Sequence, residues 1–189
     1  MLKRTLFLAK ATLLGSCLLA SQALLAAEFT LGSPSIKPES TLTLDQVFNG
    51  FGCTGKNISP ALNWRGAPEG TKSFALTVYD PDAPTGSGWW HWVVYNLPAN
   101  TQSLPAGAGT VEGKDLPAGA AQGRTDFGTT GFGGACPPEG DKPHRYIFTL
   151  YALKVEKLEI PEGATAALIG YMINANRIDK ASFTAYYSR

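Results

Sequence analysis

An imidazole and a phenol stand close together in this sequence, at the start of an apolar run. His144 and Tyr146 are two residues apart, so on a β-strand both side chains project to one face and Arg145 projects to the other. That face can offer hydrogen bonds to a ligand. A histidine inside the core is the alternative interpretation of either of the two histidines taken alone.

A segment rich in glycine and proline precedes these two residues. It reads GFGGACPP and covers residues 131–138. Glycines let backbone N–H groups approach a ligand, prolines stiffen a loop, and N–H groups gathered in this way can form an anion-binding concavity. A plain connecting turn is the alternative.

Two carboxylates and three tryptophans lie in the middle of the chain. Asp80 and Asp82 belong to the sequence DPDAP, in which two prolines fix the backbone and hold both carboxylates in place. A rigid turn is the simpler interpretation of that segment alone. Trp89, His91 and two further tryptophans follow, and large rings at a strand end can wall a pocket against water.

The arrangement of apolar runs predicts a mainly β fold. Runs of β-type residues predict strands at 41–47, 73–79, 91–97, 145–153 and 182–187. Apolar residues at helical spacing predict one helix from about Thr165 to Asn176. We therefore expect an antiparallel two-sheet β-sandwich with one or two short helices near the C-terminus. Residues 98–131 remain an unassigned long loop, a kind of segment that is often functional.

The first 27 residues have the layout of a secretory signal peptide. Lys3 and Arg4 precede an apolar stretch that is shorter than the ~20 residues of a membrane-spanning helix and ends in small residues. We expect cleavage after Ala26 or Ala27, a single domain at 28–189, a periplasmic or secreted location and no stable membrane insertion. The alternative is a lipoprotein anchored at Cys17.

Charge and cysteine content agree with export. Of 16 basic residues, three lie in the leader; the remaining 13, with 15 acidic residues, give a formal charge of −2 and leave no basic patch for nucleic acid. Without Cys17, the pair Cys53 and Cys136 remains, which predicts one disulfide in a compartment where disulfides persist. Two unpaired cysteines are the alternative.

Four segments together resemble the phosphatidylethanolamine-binding protein family, also called the Raf kinase inhibitor protein family, and in particular its bacterial branch. They are GCTGKNISPALNW (52–64), YDPDAPTGSGWWHWVVYNLP (79–98), LPAGAAQGRTDFG (116–128) and GFGGACPPEGDKPHRYIFTLYAL (131–153). DPDAP alone would be a weak signal, but DPDAP followed by HWVVYNLP, PP and HRY is a very specific combination. The resemblance covers nearly all of the chain after the leader.

The resemblance implies a two-sheet β fold with a small cavity that binds phosphate-type anions, such as the head group of phosphoethanolamine. Carried over residue by residue, the cavity is lined by Asp80, Asp82, Trp89, His91, Gly134, Pro137, Pro138, His144 and Tyr146. We expect the two carboxylates to orient and charge the imidazoles. The imidazoles and the backbone of 133–136 would then donate hydrogen bonds to the anion.

These observations predict a binding or regulatory protein without catalytic activity, cofactor or bound metal. Its expected partners are a small phosphate-containing or other anionic ligand and a protein that it inhibits or modulates. The alternative is a metal-dependent hydrolase, because Asp80, Asp82, His91 and His144 would suffice as ligands for zinc. Neither an H-x-x-x-H spacing nor a nucleophilic serine elbow supports that alternative.

Overall fold

The computed structural model describes residues 27–189, so all of the predicted leader except Ala27, with Cys17, lies outside the described residues. Strands dominate the described part of the chain, which confirms the mainly β prediction. In chain order the elements are β1 (Thr30–Gly32), β2 (Asn49–Gly50), β3 (Cys53–Thr54), β4 (Leu62–Arg65), β5 (Ser73–Asp80), β6 (Trp89–Pro98), β7 (Ser103–Leu104), β8 (Ala121–Gln122), β9 (His144–Leu153), α1 (Ala166–Asn176) and β10 (Arg177–Tyr187).

Two antiparallel sheets enclose the main core. The larger sheet has five strands in the order β10-β9-β5-β6-β8, and the smaller has three in the order β1-β4-β7. Apolar side chains from both sheets meet between them, among them Trp64 from β4, Phe74 from β5 and Phe148 from β9. The rings of Trp64 and Phe74 are 5.8 Å apart between centroids, in an edge-to-face arrangement. The predicted β-sandwich is confirmed.

Helix α1 covers the opposite face of the larger sheet. Ile169 and Ile173 lie one helical turn apart and pack with Ala75 of β5 and Val93 of β6. The helix begins at Ala166 because the side chain of Thr165 accepts a hydrogen bond from a backbone N–H of the first turn, at 3.2 Å. The helix predicted near the C-terminus is therefore confirmed, and β5 is buried on both faces.

The strand predicted at 41–47 is wrong. The segment makes only isolated bridges to other strands, at Thr41 and Val47, and a turn lies between them. The Gln46 N–H donates to the Thr43 carbonyl at 3.0 Å, and the Thr43 hydroxyl is 3.1 Å from the Gln46 side-chain oxygen. Threonine side chains compete with strand pairing through such local hydrogen bonds, which alternating hydropathy does not reveal.

The unassigned segment 98–131 completes both sheets at their edges. Its strand β7 pairs with β4, and its strand β8 pairs with β6. Between and beyond these strands the chain follows a series of turns. The segment is therefore part of the scaffold, and its last residues reach the site described below.

A disulfide joins Cys53 in β3 to Cys136 in the loop before β9, as the sequence predicts. The short hairpin of β2 and β3 carries the first cysteine, and the residues that follow the second one are prolines. The bridge therefore attaches the hairpin to the proline-containing loop, across 83 residues of sequence.

Candidate ligand-binding site

A cavity of about 280 Å³ opens where the end of β5 meets the starts of β6 and β9. Seven of the nine residues that the sequence places in a ligand site line this cavity: Asp80, Trp89, His91, Pro137, Pro138, His144 and Tyr146. The remaining lining residues are Phe51, Ala83, Pro84, Thr85, Phe127, Cys136 and Arg189. The two predicted residues that do not line the cavity are Asp82 and Gly134. That any of these residues binds a ligand remains a prediction.

His91 reaches the cavity because β6 contains a β-bulge. Val78 pairs with Trp92 and Tyr79 pairs with Trp90, so His91 is an extra residue between two pairs. A bulge interrupts the regular alternation of side chains and redirects one of them. Trp92 consequently packs in the core between the sheets, while the neighbouring His91 also lies on that side and faces the cavity.

Burial favours the neutral form of the His91 imidazole. Its Nδ1 lies 2.7 Å from the Gly133 carbonyl oxygen, which can only accept, so Nδ1 carries a proton. Burial lowers the pKa of His91, and the neutral ring then leaves Nε2 as an acceptor. The structure thus differs from the expectation that His91 is charged and donates to the ligand.

His144 lies between two carboxylates. Its Nδ1 donates to Asp80 at 2.8 Å, and its Nε2 donates to Asp141 at 3.2 Å. Burial favours the neutral ring, but the hydrogen bonds and charges of the two carboxylates outweigh burial and raise the pKa of His144. The hydrogen bond from His144 in turn lowers the pKa of Asp141. The imidazole is therefore charged, and both of its N–H groups are engaged within the protein.

Both oxygens of the Asp80 carboxylate accept hydrogen bonds within the protein. One oxygen accepts from the backbone N–H groups of Asp82 and Ala83, at 2.8 and 3.1 Å, and the other accepts from His144. The first pair forms because a side-chain oxygen of aspartate can bond the backbone two residues ahead in a turn. The expectation that Asp80 orients and charges an imidazole agrees with this geometry.

Asp82 points away from the cavity, contrary to the prediction. Its carboxylate accepts from the backbone N–H and from the guanidinium of Arg145, with distances of 2.8 to 2.9 Å. These hydrogen bonds and the charge of Arg145 lower the pKa of Asp82 to about 2. Arg145 is exposed between the buried His144 and Tyr146, as strand alternation predicts, so its partner lies on the outer face.

The loop at 133–136 does not present the predicted set of free N–H groups. Three of its four N–H groups donate hydrogen bonds inside the protein. Gly133 donates to the His91 carbonyl, Gly134 to the side-chain oxygen of Asn57, and Ala135 to the Gln46 carbonyl. A side chain at Gly134 would collide with the backbone of Gln46 and Val47. The glycine is therefore explained by close backbone packing.

Two buried donors of the cavity have no partner among the described residues. They are the hydroxyl of Tyr146 and Nε1 of Trp89. Nε1 of Trp64 in β4 is in the same situation, but Trp64 does not line this cavity. Burial raises the pKa of Tyr146, so its hydroxyl keeps its proton. Since buried polar groups are nearly always hydrogen-bonded, two unpaired donors in one cavity require acceptor atoms there, from water or from a ligand.

Arg189 adds a positive charge at the rim of the cavity. Its Nε donates to the Pro137 carbonyl at 2.7 Å, and its Nη1 donates to the Gly52 carbonyl at 3.2 Å. The charged side chains that line the cavity are thus two cations, His144 and Arg189, and one carboxylate, Asp80.

Aromatic rings form one wall of the cavity. The ring of Phe127 lies 4.4 Å from that of Phe48, 5.9 Å from that of Phe51, and 5.4 Å from those of Trp89 and His91, between centroids. Phe51 occupies the turn between β2 and β3 and is largely exposed. The lining of the cavity is thus apolar on this side and polar at Tyr146 and Arg189.

Comparison with known proteins agrees with this geometry. The sequence model of the family described as "Phosphatidylethanolamine-binding protein" matches residues 32–188. The chain belongs to the phosphatidylethanolamine-binding protein family. The UPF0098 protein YbcL of Escherichia coli is 59% identical over 162 residues, which are 86% of this chain and 88% of that protein. The UPF0098 protein YbhB of the same organism is 55% identical over 142 residues, 75% of this chain and 89% of that protein.

Solved structures of the phosphatidylethanolamine-binding protein family give the same result. The crystal structure of Escherichia coli YbcL matches with a TM-score of 0.84 and covers 86% of this chain and 99% of that chain. A homologue from Chlamydia trachomatis, CT736, matches with a TM-score of 0.70 at 30% identity, over 85% of this chain and 97% of that chain. The resemblance of the four sequence segments is therefore confirmed.

Four residues of the site were not predicted from the sequence. Asp141, Phe51, Phe127 and Arg189 contact the predicted residues or line the cavity. A phenylalanine between two glycines in a turn was a usable signal for Phe51. The other three have no local signal, because loops far apart in sequence bring them to the cavity.

The structure gives no support to the alternative function of a metal-dependent hydrolase. In the described part of the chain, no three His, Cys, Asp or Glu side chains are grouped as a metal site requires. Of the four proposed ligands, Asp82 is paired with Arg145, and both nitrogens of His144 are bonded to carboxylates. The four side chains therefore do not converge on one point.

The pKa values of the two histidines should be shifted in opposite directions from the ordinary histidine value of about 6.5. We expect a higher pKa for His144. Its pairing with the carboxylates therefore stabilises the fold fully below the ordinary histidine pKa, and this stabilisation is lost as the pH rises through the raised pKa. We expect a lower pKa for His91. Nitrogen-detected NMR titration of the imidazoles measures both values.

A matched pair of variants assigns the shift. Asp141→Asn should lower the pKa of His144, because one of its two carboxylate partners is removed, and Asp179→Asn on β10 should leave it unchanged. A pKa for His91 above that of His144 would contradict the assignment of charges in the cavity.

Proposed function

We propose that the protein binds a small phosphate-type anion in this cavity, such as inorganic phosphate or a phosphate monoester. The observation that carries the proposal is the pair of buried, unpartnered donors, the hydroxyl of Tyr146 and Nε1 of Trp89. The oxygens of a phosphate can accept from both, and hydrogen bonds to a charged group are stronger than those between neutral groups. The guanidinium of Arg189 supplies the opposite charge.

The buried carboxylate of Asp80 does not oppose anion binding in this proposal. Its oxygens already accept three hydrogen bonds, and the charge of His144 lies 2.8 Å away. An anion in the cavity therefore meets a carboxylate that is paired with a cation instead of a lone carboxylate. The pair also fixes the ring of His144 at the edge of the cavity.

His91 gives the proposed site a preference for a protonated phosphate. Neutral His91 presents Nε2 as an acceptor, and an oxygen of a fully ionised phosphate would be repelled by it. A singly protonated phosphate can donate its P–O–H to Nε2 while its other oxygens accept from Tyr146 and Trp89. If His91 takes up a proton on binding, Nε2 donates the same hydrogen bond and an oxygen of the phosphate accepts it.

We propose binding in place of catalysis as the activity of this cavity. Its charged imidazole is held by two carboxylates, and the hydroxyl of Thr85 donates to the Gly88 carbonyl. The cavity thus lacks an activated nucleophile among its described lining residues, whereas it contains free donors. As the resemblance to the Raf kinase inhibitor proteins implies, the liganded protein would modulate a partner protein.

We further propose that the protein is exported to the periplasm or beyond the cell. The basic and apolar leader supports export, and so does the Cys53–Cys136 disulfide, because disulfides persist in oxidising compartments. Within residues 27–189, no helix combines the length and apolarity needed to cross a membrane.

Removing either free donor should weaken binding of phosphate and of phosphoethanolamine. We expect Tyr146→Phe and Trp89→Phe each to reduce affinity by about 10- to 150-fold, the equivalent of the roughly 1.5–3 kcal/mol of a hydrogen bond to a charged group. Tyr151→Phe is the matched control, because Tyr151 lies on the same strand but packs on the helix side of the sheet. Calorimetric titration decides the matter, and unchanged affinity in both donor variants would refute the site.

Binding should be coupled to proton uptake through His91. We expect the affinity for phosphate to fall as the pH rises above about 6–7, because the shared proton between ligand and Nε2 is lost. Calorimetry in two buffers with different ionisation enthalpies counts the protons taken up. In His91→Asn, whose amide can still donate toward the Gly133 carbonyl, uptake should decrease. Identical uptake in the variant would mean that His91 does not share the proton.

Export predicts a processed N-terminus. N-terminal sequencing of the protein isolated from its native cells should begin near Glu28, and cell fractionation should recover it in the periplasm or the medium. An intact Met1 on a soluble cytoplasmic protein would contradict export. Lipid attached to Cys17 would establish the lipoprotein alternative instead.

A further inference from the structure

Phe51 is a large apolar side chain held in an exposed position. Its side chain is 68% exposed, and its backbone has a φ of 51°, in the left-handed region that bulky residues rarely adopt. Backbone conformations of this kind cost conformational energy and are found mainly where the surrounding structure enforces them, often at ligand sites. An exposed ring also contributes little to the core, so folding alone does not explain this arrangement.

Several contacts enforce the position of Phe51. The disulfide at Cys53 ties the hairpin to the loop before β9, and Arg189 donates to the carbonyl of Gly52. The centroid of the Phe51 ring lies 5.4 Å from that of Phe48 and 5.9 Å from that of Phe127. The planes of the Phe51 and Phe127 rings are only 13° apart. The turn therefore presents the Phe51 ring in one defined orientation at the cavity.

The cavity is polar in its depth and aromatic at its mouth. Tyr146, which bears the free hydroxyl, is buried, whereas Phe51 on the same cavity is exposed. Phe127 and Trp89 continue the aromatic wall inward, and prolines cover the other side. A ligand that satisfies both regions has an anionic head and an apolar group attached to it.

We infer that the cavity prefers a phosphate monoester whose ester group is an aromatic ring. The inference rests on the proposed anion site and names the class of ligand for it. With the phosphate on Tyr146, the ester group points toward the mouth, where an aryl ring can stack in an offset arrangement on Phe51. Aromatic pairs gain from such stacking beyond the area they bury, so an aryl ester is favoured over an alkyl ester.

An ammonium group on the ligand is disfavoured by the same surroundings. It would lie beside the guanidinium of Arg189, and the carboxylates of Asp80, Asp141 and Asp82 already have cationic partners: His144 for the first two and Arg145 for the third. The carboxylate of Asp126 accepts from the backbone N–H of Trp90. Ethanolamine therefore gains less from the mouth of the cavity than a neutral ring does.

Calorimetric titration of the full protein with four probes tests the inference. The probes are phenyl phosphate, n-butyl phosphate, phosphoethanolamine and inorganic phosphate. We expect phenyl phosphate to bind about three- to tenfold more tightly than n-butyl phosphate or phosphoethanolamine. In Phe51→Ala and Phe51→Leu this advantage should be lost, because neither side chain can stack. Tyr171→Ala removes an aromatic ring that is 71% exposed on α1 and should preserve the preference.

The outcomes separate this inference from the proposed function. If phosphoethanolamine binds as tightly as phenyl phosphate, the aromatic class is overturned and the anion site stands. If Phe51→Leu keeps the preference, stacking on Phe51 is overturned as its cause. If no probe binds, both are overturned. Circular dichroism of the Phe51 variants confirms that they are folded before their affinities are compared.

Discussion

The buried ion pair between Asp80 and His144 is the interaction on which the site depends. It joins the end of β5 to the start of β9 and places a charged imidazole where burial alone would favour a neutral one. Isolated buried charges are costly, and this pair persists because every polar atom of both side chains has a hydrogen-bond partner. The pair thereby neutralises the Asp80 carboxylate at the edge of the cavity, as the proposed binding of an anion requires.

The two histidines have divided roles because their surroundings differ. His144 meets carboxylates and is charged, whereas His91 meets a carbonyl oxygen and is buried, which keeps it neutral. The donors left for a ligand belong to Tyr146 and Trp89, whose protons are retained near neutral pH. Recognition in the proposed site therefore depends on groups that keep their protons near neutral pH, and its response to pH arises at His91.

Local sequence rules predicted what depends on neighbours along the chain and failed where distant segments meet. Strand alternation placed His144 and Tyr146 together, and periodicity located the long strands and the helix. Asp82, placed in the cavity by the family resemblance, instead pairs with Arg145, 63 residues further along the chain, which no local pattern reveals. The N–H of Gly134 was predicted to be free, but the side chain of Asn57, 77 residues away, accepts from it. Protonation states likewise depend on burial, which only the assembled fold defines.

Three segments far apart in sequence form the rim of the cavity, and two kinds of link hold them together. The disulfide joins the hairpin at Cys53 to the loop at Cys136, and Arg189 bridges the carbonyls of Gly52 and Pro137 from the same two segments. Without the disulfide, the hairpin and its strained turn would be held against the loop by Arg189 and by the backbone hydrogen bond from Phe48, just before β2, to the Ala135 carbonyl. The rim is therefore best defined where thiols are oxidised. The proposed export and the proposed ligand site are connected in this way, since the compartment that preserves the disulfide also preserves the aromatic mouth.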